Sequence, residues 1–380
     1  MKMLKFFIRR RKIISINIIL LIIFFSTPSL ILWAYSKILN ISAKDEFKRA
    51  NYPSFSNPLV AKRIREEQDL IKYKYSPFTA WQPKTIQGKY VNIDGKYLTR
   101  KSYNDALGGS TWFFGGSTVF GLDSEDNHTI PSKFAKLTNL NVKNFGVVDW
   151  NSRQSLNHLM SIIGDGNIPK QIVFYDGVND VLHGCKEFAD TIPTHSRTKY
   201  IGDSISEEWD IIYFLKNNYS QITQTLIKPY VLLANKLMPE VRKKASYKNK
   251  KYGNCLNKIS RHEEIASQLI NNWYLSYLIA KSKGVKFLGI LQPTTFSSSS
   301  PIGYLMEKDR HIVHSYEFKN VYMAIRKKIR EVCIQDNDFC TSIKDGSEWL
   351  NVDFPVFTDF VHISQKGNSI IAERINEELN

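Results

Sequence analysis

Cysteine is scarce in this sequence of 380 residues, which holds four: Cys185, Cys255, Cys333 and Cys340. Their spacings do not resemble paired zinc knuckles, which argues against a cysteine metal site. Cys333 and Cys340 are close enough for a local bridge that would leave Cys185 with Cys255, yet two of the four could equally be buried free thiols. His311 and His314 sit at helical spacing but lack the glutamate of a metalloprotease helix. No metal and no cofactor is expected. No repeat of fixed period runs through the chain, although Gly-Gly-Ser-Thr occurs twice, at 108–111 and 115–118.

Charge is absent from Ile13 to Tyr35, where Ile, Leu and Phe dominate. The run has roughly the 20 residues that a bilayer-spanning helix needs. A cleavable signal has a shorter apolar stretch and a small-residue cleavage site, whereas this run ends in Trp33 and Tyr35, which suit the membrane interface. Lys2, Lys5, Arg9, Arg10, Arg11 and Lys12 precede it. The positive-inside rule therefore places residues 1–12 in the cytoplasm. The expectation is a single-pass protein of the inner (plasma) membrane, anchored by residues 13–35 in the lipid bilayer, with an extracytoplasmic or periplasmic body where disulfides are permitted. The same cations supply part of the formal net charge of +16, so basicity is no sign of nucleic-acid binding, and no nucleic-acid partner is expected.

With 43% hydrophobic and 13% aromatic residues, the chain can bury a sizeable core. Residues 36–107 read as a stalk and accessory lead-in, interrupted by Pro53, Pro58, Pro77 and Pro83 and holding one short helix near 61–72. Over 108–380, apolar β-rich runs near 112–114, 142–145, 171–175, 285–291 and 339–343 alternate with helical patterns near 130–137, 154–163, 263–281, 318–332 and from about 365. This alternation predicts an α/β fold, a doubly wound three-layer α/β/α arrangement with about five parallel strands. Residues 186–258 interrupt it with a helical stretch near 209–237 and a basic run from Arg242 to Lys251. They read as an insertion that caps or flanks the site, its basic run a solvated loop.

Ligands of such sheets collect beyond the carboxyl ends of the strands. There the sequence places Gly115-Gly116-Ser117-Thr118, Asn144-Phe145-Gly146, Tyr175-Asp176-Gly177-Val178-Asn179-Asp180 and, on a late loop, Thr358-Asp359-Phe360-Val361-His362. A serine hydroxyl becomes a useful nucleophile when a base accepts its proton, and imidazole is suited to this near neutrality. His362 is the candidate base, and Asp359, three residues earlier, can accept its other ring N–H. Ser110, in the first Gly-Gly-Ser-Thr copy, precedes the strand and falls at the wrong end of the sheet. Neither serine lies in a Gly-x-Ser-x-Gly elbow, which argues against an ordinary α/β-hydrolase. Tyr175 and Asp180 read as supports of the third turn, and the remaining histidines as surface or structural residues.

These blocks resemble the SGNH hydrolases, the GDSL-like lipases and acylhydrolases, whose serine, glycine, asparagine and histidine match Ser117, Gly146, Asn179 and His362. The first block departs from Gly-Asp-Ser in having Gly116 before the serine. Together with FYDGVND it is similar to a membrane-linked bacterial subgroup. The resemblance implies a flavodoxin-like fold, a Ser117–His362–Asp359 triad, and an oxyanion hole made of the Ser117 N–H, the Gly146 N–H and the Asn179 side-chain amide. It implies hydrolysis of acyl esters, across a family that spans lipases, thioesterases and carbohydrate deacetylases; the expected substrate is an acylated small molecule or glycan, with the envelope favoured by the membrane location alone and acetyl expected as the acyl group. An O-acyltransferase on an envelope polysaccharide would use the same acyl-serine, and a non-catalytic glycan-binding module would keep only the fold.

Overall fold

The structure is a computed structural model that describes residues 48–185, 258–310 and 315–380, with Asn17, Thr27 and Cys255 as isolated positions. The chain divides into two compact units, residues 1–45 with 202–250 and residues 46–201 with 251–380. Apart from Asn17 and Thr27 the first unit lies outside the described residues, and so do the expected span at 13–35 and the helical stretch at 209–237. Among the described residues no helix is long and apolar enough to cross a membrane.

Helix α1 (Pro58–Asp69) starts where Asn57 accepts from the N–H groups of Leu59 and Val60, with proline in the first turn. Strands β1 (Tyr73–Ser76) and β2 (Ala80–Pro83) form an antiparallel hairpin. Three short strands follow, β3 (Ile86–Gln87), β4 (Asn92–Asp94) and β5 (Thr99–Arg100). The alternating body begins with β6 (Thr111–Gly115), α2 (Ser117–Phe120), α3 (Ile130–Thr138), β7 (Val142–Asn144) and α4 (Ser152–Gly164). It continues with β8 (Gln171–Asp176), α5 (Val178–Gly184), α6 (Ile259–Ser282) and β9 (Lys286–Leu291). The chain closes through α7 (Glu307–Arg310), α8 (Ser315–Gln335), α9 (Asn337–Thr341), β10 (Ile343–Asp345) and α10 (Gln365–Leu379).

Among the described residues one sheet has eight strands in the order β10-β9-β8-β6-β7-β5-β4-β3. The five from β10 to β7 run parallel, and β5, β4 and β3 continue antiparallel from the β7 edge. The sheet is therefore mixed and wider than the five parallel strands expected, because residues 86–100 extend it. Strands of two or three residues are too short to show a period-two pattern, which is why they escape a reading of the sequence. A second correction concerns 339–343. Asp336 caps a helical turn by accepting from the Phe339 N–H, so the fifth parallel strand starts only at Ile343.

Side chains alternate across the pleat and both faces are covered. Trp112, Phe114, Ile172 and Phe174 face a core completed by Leu159, Leu269 and Trp273 of α4 and α6. Phe113, Val173, Tyr175 and Ile290 face the opposite core, with Phe134 of α3 and Ile371 of α10. Since β6 lies between β7 and β8, the chain leaves β6 toward one neighbour and later returns on its other side. Ligands of such sheets collect at that reversal, beyond the carboxyl ends of β6 and β8.

Both cysteine pairs are disulfide-bonded, Cys185 with Cys255 and Cys333 with Cys340. Of the alternatives open in the sequence, the structure takes the fully paired one.

Candidate active site

Ser117 is the first residue of α2, immediately beyond β6, with Gly116 as N-cap. Its N–H stands at a helix start, where no intrahelical acceptor exists, and has no acceptor among the described residues. Ser110 lies before β6, buried, with its hydroxyl donated to the Leu107 carbonyl.

Asp359 and His362 share a tight loop. The Phe357–Ile363 bridge and the bond from the Thr358 N–H to the His362 carbonyl, 2.8 Å, pinch its base. One Asp359 oxygen accepts from the N–H groups of Val361 and His362 at 2.9 and 2.8 Å. The other lies 2.6 Å from His362 Nδ1, and His362 Nε2 lies 2.7 Å from Ser117 Oγ. The late loop thus meets the first strand turn through a continuous Asp–His–Ser relay, although 245 residues separate His362 from Ser117.

Burial alone would favour a neutral imidazole, but the Asp359 charge and hydrogen bond outweigh it, with Asp123 adding and Arg49 opposing, so the His362 pKa is raised from its ordinary value. Burial likewise opposes ionisation of Asp359. His362 and the two backbone N–H groups more than offset this and hold the carboxyl below the usual range. The pair is poised as carboxylate and titratable imidazole.

The expected oxyanion groups are not equally placed. Asn179, near the start of α5, donates one amide hydrogen to the Trp150 carbonyl at 2.7 Å and has a second hydrogen to offer. A Cβ on Gly116 would lie only 2.4 Å from Asn179 Nδ2, so the glycine that departs from Gly-Asp-Ser is what admits this amide beside Ser117. Gly146 also makes a close approach: a Cβ there would stand 2.3 Å from the Phe120 nitrogen of α2. Its N–H, however, donates to Asn144 Oδ1 at 2.9 Å, while Asn144 Nδ2 donates to the Val119 carbonyl. The donor expected from Gly146 is therefore engaged by the fully buried Asn144.

Several supports escape sequence reasoning. Asp123 joins the late loop to α1, accepting from Thr358 Oγ1 and from Arg65 Nε, both at 2.6 Å. Asp309 receives Arg49 and the Tyr52 hydroxyl, tying residues 49–52 to α7. Neither carboxylate stands in a motif, and only the fold reveals its partners. Of the other histidines, His158 is buried among aromatic rings and its pKa is pushed down to about 4 by burial, His183 bonds Asp149, and His262 bonds the Cys255 carbonyl. His195, His311 and His314 lie outside the described residues.

No family model and no curated protein matches the chain. Among solved structures it is similar to a lipolytic protein of the G-D-S-L family from Veillonella parvula at 11% identity and a TM-score of 0.37, covering 70% of this chain and 96% of that one. A GDSL-like lipase from Bacteroides thetaiotaomicron is 11% identical at a TM-score of 0.35, with 71% and 86% covered. An acetyl xylan esterase is 12% identical at a TM-score of 0.31, with 71% and 100% covered.

Proposed function

We propose that the chain is a serine esterase of the SGNH type, with Ser117 as nucleophile, His362 as general base and acid, and Asp359 as the carboxylate that orients it. The observation that carries this reading is the relay itself, Ser117 Oγ to His362 Nε2 at 2.7 Å and His362 Nδ1 to Asp359 at 2.6 Å. As Ser117 Oγ attacks an ester carbonyl, its proton passes to His362 Nε2, and the imidazolium is stabilised by Asp359. The carbonyl oxygen becomes an oxyanion facing the Ser117 N–H and the free hydrogen of the Asn179 amide. Each such donor is worth roughly 2.7–4 kcal/mol of transition-state stabilisation in other serine hydrolases. His362 then protonates the leaving alkoxide, giving an alcohol and acyl-Ser117. Water, deprotonated by the same imidazole, releases the acid and restores the hydroxyl. Gly146 contributes shape, since its N–H is held by Asn144.

The substrate proposed is an acylated glycan of the cell envelope, with acetyl as the acyl group. Its support is the uncharged run at 13–35 behind a basic cluster, which favours membrane anchoring with the body outside the cytoplasm, together with two disulfides of the kind that persist in oxidising compartments. Incubation of the full chain with a fluorophosphonate, followed by peptide mass spectrometry, tests the nucleophile. Label at Ser117 that disappears in His362→Ala is expected, and a folded wild-type protein that takes up no label at Ser117 would overturn the reading.

A further inference from the structure

Two buried carboxylates, Asp176 at the end of β8 and Asp180 in the first turn of α5, take no part in the relay. Asp180 follows Asn179 in the chain and reaches across to the start of α4. Its two oxygens lie 3.3 Å from the Ser152 N–H, and Oδ1 accepts the Ser152 hydroxyl at 2.5 Å. Ser152 Oγ in turn accepts from Asn272 Nδ2 of α6 at 2.7 Å. Two residues before Ser152 stands Trp150, whose carbonyl holds the Asn179 amide. Bonds and chain together close a ring from the Asn179 amide to the Trp150 carbonyl, along the backbone to Ser152, across to the Asp180 carboxylate and back to Asn179.

We infer that Asp180 is a positioning residue of the oxyanion site, acting only through Asn179 by clamping the 150–152 turn whose carbonyl fixes the amide. The inference rests on the esterase reading and deepens it. Without the clamp, the Trp150 carbonyl is free to shift and the Asn179 amide to rotate away from Ser117. A displacement on the order of 1 Å in a catalytic group can cost about 100-fold in rate.

The two carboxylates divide their roles by environment. Asp176 has one donor, Trp273 Nε1 at 3.3 Å, and its Oδ1 has no partner among the described residues. Burial, and secondarily the Asp180 charge, push its pKa well above the usual range. The Asp180 pKa is also raised by burial, but the Ser152 bonds and backbone N–H groups oppose the rise, and its carboxylate meets the Ser152 N–H at the N-terminus of α4, where negative charge is favoured. Asp180 is the one bonded to the 150–152 turn. Replacing Asp180 by an amide therefore disturbs the clamp, whereas the same change at Asp176, bonded to Trp273 and not to that turn, does not.

The test compares steady-state hydrolysis of an aryl acetate by the full-length wild type and the Asn179→Ala, Asp180→Asn, Asp176→Asn and doubly substituted Asn179→Ala/Asp180→Asn proteins. Asn179→Ala is expected to lower kcat by about 100- to 1,000-fold, and Asp180→Asn by about 10- to 100-fold with KM unchanged. Asp176→Asn should leave kcat unaltered. The double variant should be no slower than Asn179→Ala alone, because Asp180 has nothing further to hold. If Asp180→Asn fails to fold, Ser152→Ala opens the clamp from its other side and should show the same fall in kcat at constant KM, again absent on the Asn179→Ala background. Wild-type hydrolysis with an unimpaired Asp180→Asn, or with losses that multiply in the double variant, would overturn the inference and leave the esterase reading standing. A folded wild type with no hydrolysis would overturn both.

Discussion

At His362 two opposing effects meet on one ring. Burial disfavours the imidazolium and Asp359 favours it more strongly, so the pKa is raised. As the proposed general base His362 acts when neutral, so kcat/KM should rise with pH on an acid limb whose midpoint lies above the ordinary histidine value of about 6.5. Asp359→Asn removes the raising charge and the tautomer control together. That variant should move the limb to lower pH and cut kcat by roughly 10,000-fold, both read from a pH–rate profile. At this scale much of the candidate site was legible, because Ser117, Gly146 and Asn179 each stand two or three residues past the end of a strand and Asp359 and His362 share a short loop. Invisible in the sequence were side-chain choices made only on folding: Asn144 turning onto the Gly146 N–H, and Asp180 turning onto Ser152, which is 28 residues away.

The turn that carries Ser117 is held by elements that carry no motif. Arg100 of β5 is fully buried, with Nε donated to Asp126 at 3.0 Å and its other nitrogens to the carbonyls of Phe120, Gly121 and Ser124. It fastens the end of α2, three residues beyond Ser117, to the antiparallel edge of the sheet. Arg100→Met would leave Asp126 without its buried cation and three carbonyls short of a donor. A loss of about 3–5 kcal/mol is expected in urea unfolding, as for other broken buried pairs. The long apolar strands could be read from their composition, since β6, β8 and β9 are buried on both faces. Strands β3 to β5 are brief and polar in part, and their pairing is set by neighbours rather than by local pattern. Arg100 is the clearest case, a charged residue in a short strand whose burial only the assembled sheet explains.

For the molecule as a whole, the disulfides set how stability is distributed. Cys185 and Cys255 are 70 residues apart and Cys333 and Cys340 only 7. On the chain-entropy account the long bridge contributes about 4 kcal/mol and the short one about 2. Paired Cys→Ser replacement at 185 and 255 should therefore lower unfolding free energy more than replacement at 333 and 340, and a reversed order in urea titrations would contradict this. The order of alternating elements made the α/β class and the site's end of the sheet legible, because chain direction alone dictates where β6 and β8 end. The sheet's antiparallel extension was not, as it depends on the contact between β5 and β7 through the pair Arg100 and Asn144. Both of those residues turn inward to support the site, so the misread edge of the sheet is also where the unforeseen functional contacts lie. The central claim, that acyl groups pass through Ser117, is met most directly by rapid acid quench of the full chain during turnover of an acetyl ester, followed by peptide mass spectrometry. One acetyl group on Ser117, absent in His362→Ala, is the predicted result; turnover with no acetylated Ser117, and undiminished in Ser117→Ala, would contradict it.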